Sequence, residues 1–391
     1  MLVPKLRFKE FNDEWQLKKL NEISFEVKRK TTNTNYEVLT ISAKKGFVSQ
    51  KERFSKIIAG GSLEKYNLLK RNEISYNKGA SKSFKYGCVY IQKQYDYALV
   101  PNVYISFSFI NNNPYFYEKL FENHYLDKSL RMMITSTARQ DGLLNIDRKQ
   151  FFNIKVPVPS IEEQTKIANF LSLIDRKIEL QEKLVENLNL YKKGLLKKVF
   201  SNNLGWNNVE LYTVCDVRDG THNSPKYTEN GYPLVTSKNL SKNGQLDFSN
   251  ISYISQKDFD EINKRSKVNV GDILFGMIGT IGNPVLLTKD EFAIKNVALI
   301  KEKTKLKNKF LIQFLNSSAI ENQFNFNKTG GTQKFIALNS IRKLLVPVPS
   351  IEEQNQIANL FSNLDKKIEL ETKKLQDLKT YKKGLLQKMF I

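Results

Sequence analysis

Nine consecutive residues occur twice in this chain. Val156-Pro157-Val158-Pro159-Ser160-Ile161-Glu162-Glu163-Gln164 reappears letter for letter as Val346 to Gln354, 190 residues later. From Val156 to Phe200, 28 of 45 positions match their partners, and both copies close on Tyr-Lys-Lys-Gly-Leu-Leu (Tyr191 to Leu196, Tyr381 to Leu386). A long internal repeat restricts the possible folds before any residue is read singly. Two copies are too few for a stacked solenoid, so the repeat predicts a pseudo-two-fold molecule in which one plan is used twice.

Each copy reads as a long helix. Pro-x-Pro holds the incoming chain extended, and Ser160 with Glu163, like Ser350 with Glu353, has the Ser-x-x-Glu spacing of a capping box. Apolar residues then alternate in steps of three and four: Ile167, Leu171, Ile174, Ile178, Val185, Leu188, Leu195 and Val199. The second copy carries Ile357, Phe361, Leu364, Ile368, Leu375, Leu378, Leu385 and Met389. This is a heptad seam, interrupted at matching places by Gln181, Lys192, Glu371 and Lys382, a device that fixes register at some cost in stability. Gly194 and Gly384 sit where a helix loses about 1 kcal/mol relative to Ala, so each marks a kink or a close helix crossing. Some 38 helical residues give a rod of roughly 57 Å. An ordinary core helix in each half is the plainer alternative. Against it, a core helix has no reason to keep outward letters such as Glu162, Glu163, Gln164, Lys192 and Lys193 in both copies. Two rods packed as a coiled coil do have one, since their outer faces offer a repeated surface to a repeated partner.

The segments before each rod mix strand-like runs (Tyr36 to Ser42, Cys88 to Ile91, Leu99 to Phe109) with helical patterning at Asn113 to Met133. They share sparse anchors in the same order. Trp15, Leu20 and Ile23 match Trp206, Leu211 and Val214; Asn72 to Tyr76 matches Gly271 to Phe275; Asn102-Val103 matches Asn296-Val297. Ile146, Phe151 and Ile154 match Ile336, Ile341 and Leu344. Between anchors the two diverge, so one α/β fold is expected twice.

Net charge is +22 with a pI near 9.6, which suits a polyanionic partner. Residues 1–159 hold 27 Lys/Arg against 15 Asp/Glu and residues 201–349 hold 19 against 13, so +18 of the charge lies outside the rods. An AT-rich genome that inflates lysine would give the same balance. The one long apolar run, Ile273 to Leu287, is cut by Gly276, Gly279, Gly282 and Pro284, which predicts strand and turn rather than a membrane span. Cys88 and Cys215 fall in different halves, arguing against a disulfide framework. With no apolar leader after Met1, a cytoplasmic location is expected.

Catalytic signatures are missing. Asn113-Pro114-Tyr115-Phe116 lacks the second proline of an amino-methyltransferase loop, and Gly276-x2-Gly279-x2-Gly282 lacks dinucleotide-loop spacing. No phosphate-cradling Gly-x4-Gly-Lys-Ser/Thr is present. Glu26-Val27-Lys28 has the Glu-x-Lys form of some nucleases, a triplet common by chance in a lysine-rich chain. His124 and His222 have no metal-ligand companions at useful spacing, for Cys215 with His222 gives only two ligands.

What remains is binding. Loops that mix cations, amides and aromatics suit phosphate contact and base-edge readout. In the first half these are Lys44 and Lys45; Lys78, Ser81 and Lys82; and Thr137, Arg139 and Gln140. In the second they are Thr221, His222, Asn223, Ser224, Lys226 and Tyr227; Lys238 and Asn239; and Lys328, Thr329, Gln333 and Lys334. The last set in each half lies just before the matched Ile146 or Ile336.

Two divergent globular parts, each followed by a near-identical helix opening Pro-x-Pro-x-x-x-Glu-Gln, resemble the specificity subunit of Type I restriction–modification enzymes across the whole chain. Asp219-Gly-Thr-His-Asn-Ser-Pro-Lys-Tyr227 and Pro233 to Asn239 also look like a target-recognition domain of that family. The resemblance implies an α/β protein of two target-recognition domains (1–158 and 201–348) and two antiparallel spacer helices (159–200 and 349–391). It implies a chain with no catalysis of its own. Each domain reads half of a bipartite DNA target, the helices set the unread gap, and two methyltransferase and two restriction subunits complete the assembly. S-adenosylmethionine, ATP and Mg2+ are then cofactors of those partners. The competing reading is a coiled-coil scaffold whose basic charge serves solubility or RNA contact; a stand-alone enzyme is the third.

Overall fold

The computed structural model describes residues 2–33, 35–54, 60–134, 143–201, 205–279, 281–325 and 335–391. Contacts divide the chain into unit 1 (Met1–Gln181 with Lys374–Ile391) and unit 2 (Glu182–Lys373). Each unit therefore holds the beginning of one repeated helix and the end of the other.

In unit 1 a four-stranded sheet runs Ser24–Glu26, Ile105–Phe109, Ile74–Asn77, Cys88–Ile91 in spatial order, and every pairing is antiparallel. Unit 2 repeats it with Cys215–Asp219, Val297–Glu302, Ile273–Gly276, Gly282–Leu286. A second sheet follows in each, and both contain one parallel pairing, Glu37–Ser42 with Tyr97–Val100 and Tyr232–Val235 with Ala293–Ile294. The expected duplication of one α/β plan is present. The strand register places Ile74 opposite Phe107 and Ile273 opposite Ile300, so Val103, not Asn102, stands where Asn296 does. The Asn-Val motif match is thus one residue out of register. The matched Phe151 and Ile154, like Ile341 and Leu344, lie in the two main cores.

The patterning at Asn113 to Met133 forms two helices, Pro114–Glu122 and Asp127–Met133. Asn113 caps the first, accepting from Tyr115 N at 3.0 Å, and His124 at φ 61 breaks the run. A non-glycine residue in the left-handed region cannot continue a right-handed helix.

The repeated segments are single helices, Ile161–Ser201 and Ile351–Met389, and the seam positions are buried or half-buried along both. In unit 1 Lys382, near the end of the second helix, pairs with Asp175 in the first half of the first. In unit 2 Lys192, near the end of the first, pairs with Asp365 in the first half of the second. Within each unit the helices therefore run antiparallel, and the lysines that interrupt the seam meet aspartates on the facing helix. Gly194 and Gly384 mark no close crossing, because a Cβ added at either meets nothing within 4 Å.

Of the repeated letters expected to face outward, Glu162 and Lys193 do so; Glu163 and Gln164 do not. Gln164 Oε1 accepts from Asn113 N at 2.9 Å, and its Nε2 donates to Pro159 O and Asn112 Oδ1, each at 2.9 Å. Gln354 accepts from Lys307 N at 2.8 Å and donates to Pro349 O and Lys305 O, each at 2.9 Å. One glutamine thus ties each long helix to the start of a domain helix, which satisfies a backbone donor that would otherwise be buried unpaired. Its sameness in both copies is structural.

Candidate nucleic-acid interface

In unit 1 the turn between Glu37–Ser42 and Gly46–Ser49 carries Lys44 and Lys45, both exposed. Gly46 adopts φ 71, and Tyr90 donates its hydroxyl to Ala43 O at 2.6 Å, fixing the turn on the neighbouring sheet. Phe84 packs edge-on against that ring at 6.5 Å. Ser81 Oγ accepts from Phe84 N at 3.0 Å, making a tight turn with Lys82 at its exposed tip. The chain Ala43–Tyr90–Phe84 therefore draws two separated basic loops to one place. Lys78 is half-buried beside them, and its carbonyl accepts from Leu144 N at 3.0 Å. Thr137, Arg139 and Gln140 lie outside the described residues; the end of their segment returns at Leu143, bridged to Gly79.

Unit 2 gathers its loops around Ser237 and Asn296. Ser237 Oγ donates to Asn296 O at 3.2 Å and accepts from Met277 N at 3.3 Å. Asn296, held at φ 54, presents Oδ1 to His222 Nδ1 at 2.9 Å. The other ring nitrogen of His222 lies 2.7 Å from Asp219 Oδ2, and Asp219 also holds Arg265. Gly220 permits the close passage of this loop, since a Cβ there would stand 2.5 Å from Ile294 O. Lys295 Nζ donates to Ser224 Oγ at 2.9 Å. Thr221 is half-buried, its Oγ1 accepting from Asn223 N at 3.2 Å, while Asn223, Lys226, Tyr227 and Lys238 are exposed. Asn239 differs from these exposed residues. It is buried, its Oδ1 accepts from Thr236 N and Oγ1, and its Nδ2 donates to Asp247 O at 3.0 Å, leaving the amide occupied in holding the Lys238 turn. Lys328, Thr329, Gln333 and Lys334 fall outside the described residues, and their segment re-emerges at Phe335, bridged to Ile278.

Lys295 and Asn296 join these loops although the sequence offers neither as a candidate reader and gives Asn296 only as an anchor. The parallel bridge of Lys295 to Thr221 and the bonds to His222 and Ser224 bring them to the loop. In unit 1 Arg148 is likewise no sequence candidate. It binds Glu26 and donates to Asn102 O at 2.9 Å, while Lys28 pairs with Glu26 at 2.7 Å. Glu26-Val27-Lys28 is thereby an ion cluster within a sheet edge. Lys30, beside it, has its pKa lowered by burial and then by the charge of Arg148. Among the described residues no group of three or more His, Cys, Asp or Glu could hold a metal, and no helix is long and apolar enough to cross a membrane. Cys88 and Cys215 are free, buried thiols, pushed by burial to about 11 and about 12, where they are inert as nucleophiles.

Two stretches, residues 12–190 and 203–380, match the model of the Type I restriction modification DNA specificity domain. The chain belongs to this family. The specificity subunit of the Type I restriction enzyme MjaVIII from Methanocaldococcus jannaschii is 27% identical over 298 residues, covering 68% of this chain and 69% of the relative. The specificity subunit of EcoKI from Escherichia coli is 25% identical over 271 residues, 62% of this chain and 58% of that one. Among solved structures, the S subunit of a Type I system from M. genitalium aligns over 100% of this chain and 99% of its own, with a TM-score of 0.62 at 16% identity. That likeness shows the fold. As a specificity subunit, this chain is the DNA-recognising and non-catalytic member of a Type I assembly.

Proposed function

We propose that residues 1–158 and 201–348 are two target-recognition domains, each reading one half of a split DNA sequence, and that 159–200 and 349–391 are the spacers between them. The observation that carries this is the contrast within each duplicated unit. The Gln clamp and the Lys–Asp helix pair are repeated, while the loops around Tyr90 and around Ser237–Asn296 share no residues. Different loops on one frame suit two different half-sites, and a common frame suits one partner bound twice. Outward apolar letters support the second point. Ile161, Leu180 and Tyr191 are exposed in the first helix, as are Ile351, Leu370 and Tyr381 at the same positions of the second. We assign this duplicated surface to two methyltransferase subunits, with two restriction subunits completing the complex, in the cytoplasm. S-adenosylmethionine, ATP and Mg2+ are then bound by the partners. Phosphate contacts make binding fall steeply with salt.

The test is single-molecule methylation sequencing of a host with and without the chain, which should lose one bipartite motif. Removing one heptad from each helix at matched positions (178–184 and 368–374) shortens each by about 10 Å, or about three base pairs at 3.4 Å each. The accepted gap should change and both half-sites should stay. No lost motif would favour the scaffold reading; an unchanged gap would remove the spacer role.

A further inference from the structure

We propose that Ile278 and Phe335 form an apolar wedge with which unit 2 opens a base-pair step of its half-site, and that unit 1 reads its half-site without one. The proposal rests on the recognition reading above. Ile278 and Phe335 are paired across an antiparallel bridge, and Met277 O accepts from Ile336 N at 2.8 Å beside it. Residues directly opposite in such a pairing project to the same face with Cβ atoms about 5 Å apart. Both are exposed, Ile278 at 45% and Phe335 at 67%, so two large apolar side chains stand together in solvent.

Their neighbours say what covers them. Ile278 N lies 3.5 Å from Ser237 Oγ, which binds Asn296, which in turn binds His222. The pair thus continues the hydrogen-bonded string that carries the candidate readers, with Lys238 exposed next to Ser237 and Lys295 on Ser224. An apolar pair among cations and amides is poorly suited to a protein core, and well suited to a base stack flanked by phosphates. Phe and Ile are among the side chains that enter base steps and kink the duplex. A protein partner that binds both copies of the frame would need the same pair twice. The positions equivalent to Ile278 and Phe335 in unit 1 are Gly79 and Leu143, bridged in the same way two residues past the matching strand, and Leu144 bonds Lys78 O as Ile336 bonds Met277 O, so the sequence match of Ile146 with Ile336 is two residues out of register. Glycine offers no side chain, so the pair belongs to what distinguishes the two readers.

The experiment uses the full chain assembled with its methyltransferase subunits and duplexes of the target found by methylation sequencing. 2-Aminopurine is stepped through both half-sites, and its fluorescence rises where a base is unstacked. Methyltransferases extrude their target base, so a rise at the methylated position of either half-site is discounted; a several-fold rise at one further step of the half-site read by unit 2, with none in the other, is expected. Phe335→Ala and Ile278→Ala should each abolish the rise and weaken target binding about tenfold, while Phe335→Trp keeps it. Both positions are exposed, and equal melting temperatures would verify folding. A bound, methylated duplex with no rise beyond the methylated positions, or a further rise that survives Phe335→Ala, overturns the wedge and leaves the recognition reading standing. Wild-type protein that shows no sequence-specific binding overturns both.

Discussion

The same four letters, Ser-Ile-Glu-Glu, begin both long helices, yet they do different things. In the second copy the capping box is complete: Ser350 N and Oγ donate to Glu353 Oε2 at 3.0 and 2.8 Å, and Glu353 N donates to Ser350 Oγ at 3.3 Å. The Ser350 bonds hold the Glu353 pKa below its ordinary value. In the first copy only Glu163 N to Ser160 Oγ is made. The Glu163 carboxylate instead takes Arg7 Nε at 2.7 Å, Arg7 Nη2 at 2.8 Å and Trp15 Nε1 at 3.0 Å, and its side chain is 1% exposed. The cause is the segment before Trp15, which supplies Arg7 over the first helix start; Glu353 is exposed. Identical sequence therefore fixes the helix start, while the neighbouring segment, through Arg7, decides how far the carboxylate is buried.

A second contrast lies at the helix pairs. Asp175 with Lys382 and Asp365 with Lys192 are equivalent, but unit 1 adds Lys119 on Asp175 and Glu122 on both lysines. Lys119, 8% exposed, reaches Asp175 and, at 3.3 Å, Glu122. Burial opposes its charge, but the carboxylates of Glu122, Asp175 and Glu118 outweigh that, and its pKa is raised. The aromatic contacts Phe116–Phe390 and Phe310–Phe200 set the correspondence, and Gln313 stands in place of Lys119, its Oε1 buried with no hydrogen-bond partner among the described residues. The helices kept their pair; the diverging domain gained or lost the further charges, for Asn316 stands where Glu122 does.

Three measurements press on these contrasts. Lys119→Ala removes a buried cation and its packed stem, leaving Asp175 and Glu122 to Lys382 alone and Glu118 to Lys93, and should cost about 3 kcal/mol, whereas Gln313→Met, which removes an unpaired amide, should be near neutral within about 1 kcal/mol. Urea unfolding of both variants checks this, and equal losses would show that the Lys119 charge is idle. Next, Glu163→Ala strips Arg7 and Trp15 of their acceptor and should cost about 2–3 kcal/mol, with Glu353→Ala clearly milder because water replaces the carboxylate. Similar melting points for those two variants would contradict the burial difference. The smallest effect is in pH. Burial raises the Asp175 pKa, but Lys119 and Lys382 together outweigh it and the pKa is lowered from 3.8. A depressed carboxylate stabilises above its unfolded pKa and stops doing so as pH falls through its folded one. The melting-temperature gap between wild type and Asp175→Asn should accordingly hold from neutral pH to about 4 and narrow below it. A gap that persists in acid would mean that packing, not charge, is lost.

The sequence alone determined the duplication, the two long helices, their seam and the twin α/β plan, because periodicity and repetition are properties of neighbours along the chain. It also marked Lys44, Lys82, His222 and Lys238 as exposed loop positions, since loop chemistry is local. Tertiary structure decided the rest. The burial of Glu163 depends on Arg7, 156 residues away, and that of Lys119 on Asp175. The joining of His222 to Asn296 spans 74 residues, and Asn239 proved a support because Asp247 O claims its amide. Burial and hydrogen bonding between distant segments carry no sequence period, so they become visible only when the sheets bring those segments together.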